Sequence, residues 1–99
     1  MNKKFVVGIS ALSDDQKKEL LKYFRANGWG WWHWIRDLWL VDSDDDFGPE
    51  KIRDHIGKIA PGSDVVVLEV SPITWATRGP EKKGRSFSRW LEEFWNEDE

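Results

Sequence analysis

The sequence predicts an α+β fold in which short strands alternate with amphipathic helices over 99 residues. Three features indicate it: β-branched runs at residues 5–9 and 65–70, two helical stripes of apolar side chains, and the segment GWGWWHWIRDLWLV at residues 28–41. That segment holds five of the eight tryptophans. A chain of this length forms one domain and buries only about 60–65% of its unfolded surface, so these large side chains matter for its stability.

The first strand and the first helix are predicted from the N-terminal residues. The run FVVGI at residues 5–9 is short, apolar and partly β-branched, which is typical of a strand. Ser13, followed three residues later by Gln16, forms a capping box, and two aspartates in the first turn complement the helix dipole. The helix is expected to end at Asn27, because Gly28 can adopt a positive φ angle.

The tryptophan segment predicts two strands joined by a tight turn or a bulge near Arg36 and Asp37. With a period of two, its side chains divide between one face (Trp29, Trp31, His33 and Ile35) and the other (Gly30, Trp32 and Trp34). Bulky side chains on both faces indicate a sheet that is covered on both sides.

A second helix and a last strand of the sheet follow. Pro49 suits the first position of the helix, where its missing N–H is not needed. The apolar stripe of this helix consists of Ile52, His55, Ile56 and Ile59. Residues 65–70 then form the strand.

The C-terminal part predicts a basic loop at residues 77–85 and an amphipathic helix with an acidic tail at residues 86–99. Ser86 or Ser88 would cap this helix. Its apolar stripe consists of Phe87, Trp90, Leu91, Phe94 and Trp95. The complete order is that of the ferredoxin-like βαββαβ plan over residues 1–76, with a four-stranded antiparallel sheet and an appended C-terminal helix.

Composition excludes several classes of protein. The chain has no cysteine, which excludes disulfides and thiolate metal sites. Its net charge of −3 is not the basic balance of a dedicated nucleic-acid-binding domain. The apolar run at the N-terminus is too short for a signal peptide, and no segment approaches the roughly 20 apolar residues that span a bilayer. We expect a soluble, cytoplasmic protein without a membrane partner.

Four short motifs resemble the SinR-like family of small proteins. Residues 31–34, WWHW, followed by residues 39–41, WLV, resemble that family's WWH-aromatic…WLV signature. Residues 52–54, IRD, and 64–70, DVVVLEV, resemble its second helix and its last core strand. The resemblance extends over about residues 5–75. It implies a distant relationship in fold to CRISPR-associated protein two and to VapD-type toxins, which are ferredoxin-like homodimers linked to nucleic-acid metabolism.

The same resemblance bears on metal binding. In the nuclease members of that wider group, an aspartate at the end of strand one holds a metal at the dimer axis. This chain has Gly8, Ile9 and Ser10 at that place, so the ligand is missing. Because fold alone does not carry function, the sequence predicts neither a metal nor a cofactor.

Two further groups of polar residues are candidates for chemistry. The acidic segment DSDDD at residues 42–46 is not an EF-hand, which would need glycine in place of Phe47 and glutamate in place of Arg53. We interpret it as a solvated turn that favours the N-terminus of the second helix, with a looser divalent-cation site as the alternative. His33 is a weak candidate for a catalytic general base; both it and His55 are otherwise expected to be partly buried and hydrogen-bonded.

The basic loop and the tryptophans are the candidates for binding. The predicted nucleic-acid-binding residues are Arg78, Lys82, Lys83 and Arg85. Glycines in the loop would let these cations converge on phosphates, although a solvated loop that faces the acidic segments is the alternative. The tryptophans expected at a subunit interface or against stacked bases are Trp31, Trp32, Trp34, Trp39, Trp75, Trp90 and Trp95.

Together these features predict a small, homodimeric, non-catalytic interaction protein that binds RNA or DNA through the basic loop. One alternative is a small ribonuclease or toxin of the VapD type that uses other ligands than its relatives. Another is an acidic inhibitor, whose residues 42–46 and 92–99 would occupy a basic site on a partner protein.

Overall fold

The computed structural model describes residues 3–71, 76, 78, 81–82, 85–86 and 89–95. Its elements in chain order are β1 (Lys3–Ile9), α1 (Asp14–Ala26), β2 (Gly30–Ile35), β3 (Leu38–Ser43), α2 (Pro49–Ile59), β4 (Val65–Val70), β5 (Glu81–Lys82), β6 (Arg85–Ser86) and a C-terminal π-helix (Leu91–Trp95). The α+β class predicted from the sequence is confirmed.

Four of these strands form one antiparallel sheet in the order β2-β3-β1-β4. Both α-helices pack on the same face of this sheet, which we call the helical face. The core on that face consists of Phe5, Val7, Ile9, Leu20, Phe24, Trp29, Trp39, Val41, Ile52 and Ile56. Two helices on one face of a four-stranded antiparallel sheet are compatible with a ferredoxin-like fold.

Helix α1 begins and ends for the local reasons that the sequence indicates. The backbone N–H of Ser13 donates to Gln16 Oε1 at 2.8 Å, and the N–H of Gln16 donates to Ser13 Oγ at 3.1 Å. These two bonds complete the predicted capping box. At the other end Gly28 has a φ angle of +72°, a conformation that costs glycine little.

The sequence predicts either a tight turn or a bulge between β2 and β3. The hairpin has both, a tight turn at residues 36–37 and a bulge in the strand before it. The strand register shifts between Trp32 and Ile35, and Ile35 pairs with Leu38. Because residues that lie opposite each other share a face, Ile35 belongs to the face of Leu38. The prediction that Ile35 shares the face of Trp31 is therefore wrong, since the bulge interrupts the alternation on which it was based.

The face opposite the helices, which we call the second face, carries a smaller core. There Leu91 and Trp95 of the π-helix, each 3% exposed, pack with Trp32 and Leu40. The described C-terminal residues thus cover the β2–β3 side of the sheet. They form a five-residue π-helix after Arg89 and Trp90, where the sequence predicts a longer α-helix.

The small β5–β6 hairpin is a further departure from the predicted loop. Its two strands pair Glu81 with Ser86 and Lys82 with Arg85. Ser86, one of the two predicted caps of the C-terminal helix, lies in β6. Ser88, the other predicted cap, lies outside the described residues.

Candidate interaction surfaces

The seven described tryptophans divide between the two faces of the sheet, while Trp75 lies outside the described residues. Those associated with the core of the helical face are Trp29, Trp31 and Trp39, and those of the second face are Trp32, Trp34, Trp90 and Trp95. Four are at most 4% exposed, namely Trp29, Trp32, Trp39 and Trp95. The half-buried rings of Trp31, Trp34 and Trp90 are the ones within reach of a ligand.

The acidic segment is attached to the core through aromatic contacts. The Trp29 Nε1–H donates to Asp45 Oδ2 at 2.9 Å, and the Phe47 ring stacks between Phe5 and Trp29 with centroid distances of 5.1 and 4.9 Å. Asp46 Oδ1 lies 3.4 Å from Lys3 Nζ. Two of these carboxylates therefore have partners within the chain, while residues 44–46 all stay exposed.

Lys4 and Asp42 form a buried ion pair on the second face. They are cross-strand neighbours of β1 and β3, with Lys4 Nζ 3.9 Å from Asp42 Oδ1, and the residues are 5% and 9% exposed. Gly30 lies opposite Asp42 on β2, and a Cβ there would be 3.6 Å from Trp90 Cζ2. Trp90 thus packs beside the pair. The interpretation of residues 42–46 as a solvated turn is wrong for Asp42, because β3 continues through this residue and turns it towards Lys4.

His33 is held between an aromatic ring and a backbone carbonyl. Its ring stacks on Trp39 at a centroid distance of 3.4 Å with an interplanar angle of 7°. His33 Nε2 donates to the carbonyl oxygen of Arg36 at 2.9 Å, since a carbonyl can only accept. Burial lowers the pKa of His33, and Lys17 adds to this, whereas the Arg36 carbonyl and Asp37 act in the opposite direction. These contacts orient the imidazole, and none of them joins it to a nucleophile.

His55 has a separate aromatic partner. Its ring stacks on Tyr23 of α1 at 3.6 Å with an interplanar angle of 9°. Burial lowers the pKa of His55 and the nearby Lys58 lowers it further, while burial raises the pKa of Tyr23. The stack borders an open depression of about 420 Å³ between the two helices, lined by Asp15, Gln16, Glu19, His55, Lys58 and Ile59. Mixed charge and an open shape give this depression no recognisable ligand chemistry.

The second face also carries an apolar surface that the described C-terminal residues do not cover. Among the described residues, the large hydrophobic ones that stay exposed are Ile35 (47%), Val66 (55%) and Leu68 (53%). Strand register aligns Ile35, Leu38, Gly8 and Val66 in one row across the sheet. Leu68 lies in the next row, opposite Val6. Two of the three exposed residues therefore lie on the edge strand β4.

The predicted nucleic-acid-binding residues are described only in part. Arg78 is exposed. Lys82 and Arg85 lie in β5 and β6 and are Cα partners, so the hairpin backbone brings these two cationic residues opposite each other. Lys83 lies outside the described residues.

The end of β1, where the nuclease members of the resembling group carry their metal ligand, has a structural role in this chain. The N–H of Ser10 donates to the carbonyl of Asp64 at 3.0 Å, and the N–H of Asp64 donates to Ser10 Oγ at 3.0 Å. Ser10 thereby joins the end of β1 to the start of β4. Among the described residues, no three histidine or acidic side chains are grouped so that they could hold a metal ion. None of the described helices has the length and apolar character that a membrane crossing requires.

These features define the molecule as a small α+β sheet domain with an aromatic core on each face. Comparisons of the chain with protein-family models, with curated proteins and with solved structures find no match.

Two features of these surfaces do not follow from the sequence analysis. The buried Lys4–Asp42 pair depends on the register of β1 against β3, which sequence periodicity does not supply. The exposure of Val66 and Leu68 is the opposite of what the sequence of β4, VVVLEV, indicates, because a strand without polar alternation is expected to be covered on both faces.

Proposed function

We propose that this chain is a small, cytoplasmic, homodimeric interaction protein without catalytic activity, which binds nucleic acid through the basic segment at residues 78–85. We further propose that it is a ferredoxin-like relative of the SinR-like proteins, with the β2–β3 side of its second face covered by the C-terminal segment. The proposal of nucleic-acid binding rests on the register of the β5–β6 hairpin, in which Lys82 lies opposite Arg85. Two cationic residues at opposite positions of a strand pair concentrate positive charge at one place on the backbone, which a phosphate would complement.

The state of the other polar groups supports a non-catalytic role. His33 is stacked and hydrogen-bonded, His55 is stacked, and Ser10 is bonded to the backbone of Asp64. A catalytic site needs a nucleophile, a base and an orienting group in mutual contact. These three residues instead have separate partners in the fold.

Stacking would supplement phosphate contacts in the proposed complex. The half-buried rings of Trp31, Trp34 and Trp90 are the described indoles with exposed area. Arg25 already lies over the Trp31 ring at 5.6 Å. Stacking of a base on such a ring contributes about 1–3 kcal/mol, which favours single strands over duplexes, because unpaired bases have free faces.

The test compares two variants that each remove three positive charges. In the first, Lys82, Lys83 and Arg85 are changed to glutamine; in the control, the exposed Lys18, Lys22 and Lys58 are changed instead. Binding of short single-stranded RNA and of duplex DNA is followed by tryptophan fluorescence at several salt concentrations. We expect the first variant to bind the RNA more weakly, with a slope of log K against log salt that is smaller by about 2, as three lost phosphate contacts imply. The control should retain the slope of the wild type.

Three results would contradict the proposal. Absence of binding by the wild type would remove the nucleic-acid function. An equal loss in both variants would indicate non-specific attraction instead of a site. Cleavage of the RNA with magnesium or manganese would favour the ribonuclease alternative, and His33→Ala would then test that residue.

A further inference from the structure

Strand β4 is an edge of the sheet that lacks the usual protection against pairing. Among the described residues its outer edge has no partner, since the sheet order ends at β4. Its sequence is VVVLEV, and it pairs with β1 at six consecutive positions without a register shift. Proteins normally protect such edges with lysine, proline or a bulge. The opposite edge, β2, has such a bulge between Trp32 and Ile35.

Side chains on the second face add apolar area beside this edge. Val66 is 55% exposed and Leu68 is 53% exposed. Gly8 lies opposite Val66 and has no side chain to cover it. Neither Val66 nor Leu68 belongs to the core that the π-helix forms with Trp32 and Leu40. Their apolar surface is therefore continuous with the unpaired backbone edge.

Glu69 is the single charge of the strand and has a partner within the chain. Its Oε2 lies 3.3 Å from Lys3 Nζ on the neighbouring strand β1, and Lys3 also lies beside Asp46. The edge therefore presents aliphatic side chains and one carboxylate that shares a lysine. Such a strand is complementary to a second copy of itself as long as the two Glu69 side chains are not placed opposite each other.

We propose that β4 pairs antiparallel with β4 of a second copy, with the two-fold axis at Val67. This inference rests on the proposed homodimer and names its interface. In this register Val66 lies opposite Leu68 of the partner subunit on both sides of the axis, so the exposed residues of the two copies cover each other. Glu69 lies opposite Val65 of the partner subunit and not opposite a second glutamate. The two sheets become one continuous eight-stranded sheet with the α-helices of both copies on one side.

The size of the interface sets the expected strength of the dimer. Pairing of two six-residue edges buries less than the roughly 1,200 Å² that marks the lower limit of standard interfaces. We therefore expect a reversible dimer with a dissociation constant on the order of micromolar.

Charge substitutions at the exposed positions test this interface directly. Val66→Lys and Leu68→Lys should each weaken self-association at least tenfold in sedimentation velocity, because they place a lysine against an aliphatic side chain of the partner. Ile35→Lys is the matched control, since Ile35 is 47% exposed on the same face but lies on the opposite edge strand. It should leave the dissociation constant unchanged. Far-ultraviolet circular dichroism verifies that all three variants fold.

A mixing experiment tests the register. A Val66→Lys chain mixed with a Leu68→Glu chain brings opposite charges face to face and should associate about threefold more tightly than either chain alone. A Val66→Lys chain mixed with a Val66→Glu chain places its charges diagonally and should show a smaller gain. Equal gains in the two mixtures would overturn the register.

The outcomes separate this interface from the proposed function. A dimer that is weakened by Ile35→Lys but not by Val66→Lys or Leu68→Lys would overturn the β4 interface and leave the homodimer intact. A wild type that is monomeric well above micromolar concentration would overturn both the homodimer and its interface. RNA binding is measured separately and does not depend on either result.

Discussion

Lys4 is a charged residue whose burial has a desolvation cost. A lysine that is 5% exposed loses most of its hydration, and Asp42 at 3.9 Å is its counter-charge. The desolvation cost of burying two charges offsets much of their mutual attraction, so such a pair adds little net stability. The loss of one partner costs more, because it removes the counter-charge that lies beside the other buried charge.

We predict that Lys4→Met lowers the free energy of unfolding by about 3 kcal/mol. The double variant Lys4→Met/Asp42→Leu should recover most of this loss, because it removes both charges. Urea unfolding followed by tryptophan fluorescence measures both variants. Lys17→Met is the control for an exposed ion pair, 4.0 Å from Asp14, and should cost less than about 1 kcal/mol. A double variant that is less stable than Lys4→Met would contradict the expectation.

The two histidines predict how stability depends on pH. Burial lowers the pKa of both His33 and His55 in the folded state. As the pH falls below the ordinary histidine pKa of about 6.5, the unfolded chain therefore takes up protons before the folded chain does. The contribution of the two histidines to stability is complete above the ordinary histidine pKa. It declines as the pH falls from there towards their pKa values in the folded state.

The measurement is the urea midpoint between about pH 7.5 and 5.5, above the range in which most carboxylates titrate. The midpoint of the wild type should fall with pH. The variant His33→Phe/His55→Phe should have a flatter profile, because its unfolded state lacks the two proton-binding sites. A profile as steep as that of the wild type would assign the pH dependence to other groups.

At the scale of elements, the C-terminal π-helix determines which part of the second face meets water. It buries Trp32 and Leu40 on the β2–β3 side and leaves Val66 and Leu68 on β4 exposed. The bulge in β2 has a comparable effect, because it moves Ile35 to the second face. One short element and one irregular strand pair thus account for the three exposed hydrophobic residues.

We predict that Leu91→Ala lowers the free energy of unfolding by about 2–5 kcal/mol, since Leu91 is 3% exposed and packs in the core of the second face. Glu92→Ala is the adjacent control at an exposed position and should change stability by less than about 0.5 kcal/mol. Chemical unfolding of both variants provides the comparison. Equal stabilities would mean that the π-helix is not docked on the sheet in solution.

At the scale of the whole molecule, the four-stranded sheet has an aromatic core packed on each of its two faces. The radius of gyration of 13.4 Å is close to the roughly 13 Å of a compact chain of about 100 residues. Four of the seven described tryptophans are buried within this single chain, so a second subunit is not needed to cover those four. A dimer through β4 would therefore be an association of folded monomers.

The sequence by itself determined the two α-helices and the four strands of the main sheet, but not the β5–β6 hairpin or the π-helix. Local chemistry decides these features: the Ser13–Gln16 capping box, Pro49 at the start of α2 and the β-branched run of β4 act within a few residues, and all three lie where they were predicted. The separation of the tryptophans between two faces also followed from strand alternation up to the bulge.

Only the tertiary structure decided which residues meet across the sheet. The pairing of Lys4 with Asp42, the stacking of His33 on Trp39 and the exposure of Val66 depend on strand register and on where the C-terminal segment lies. These contacts join residues that are far apart in the chain or separated by a turn and a bulge. Periodicity specifies the face of a side chain but not its neighbour on that face, and the free energy that selects the neighbour comes from packing of the whole sheet.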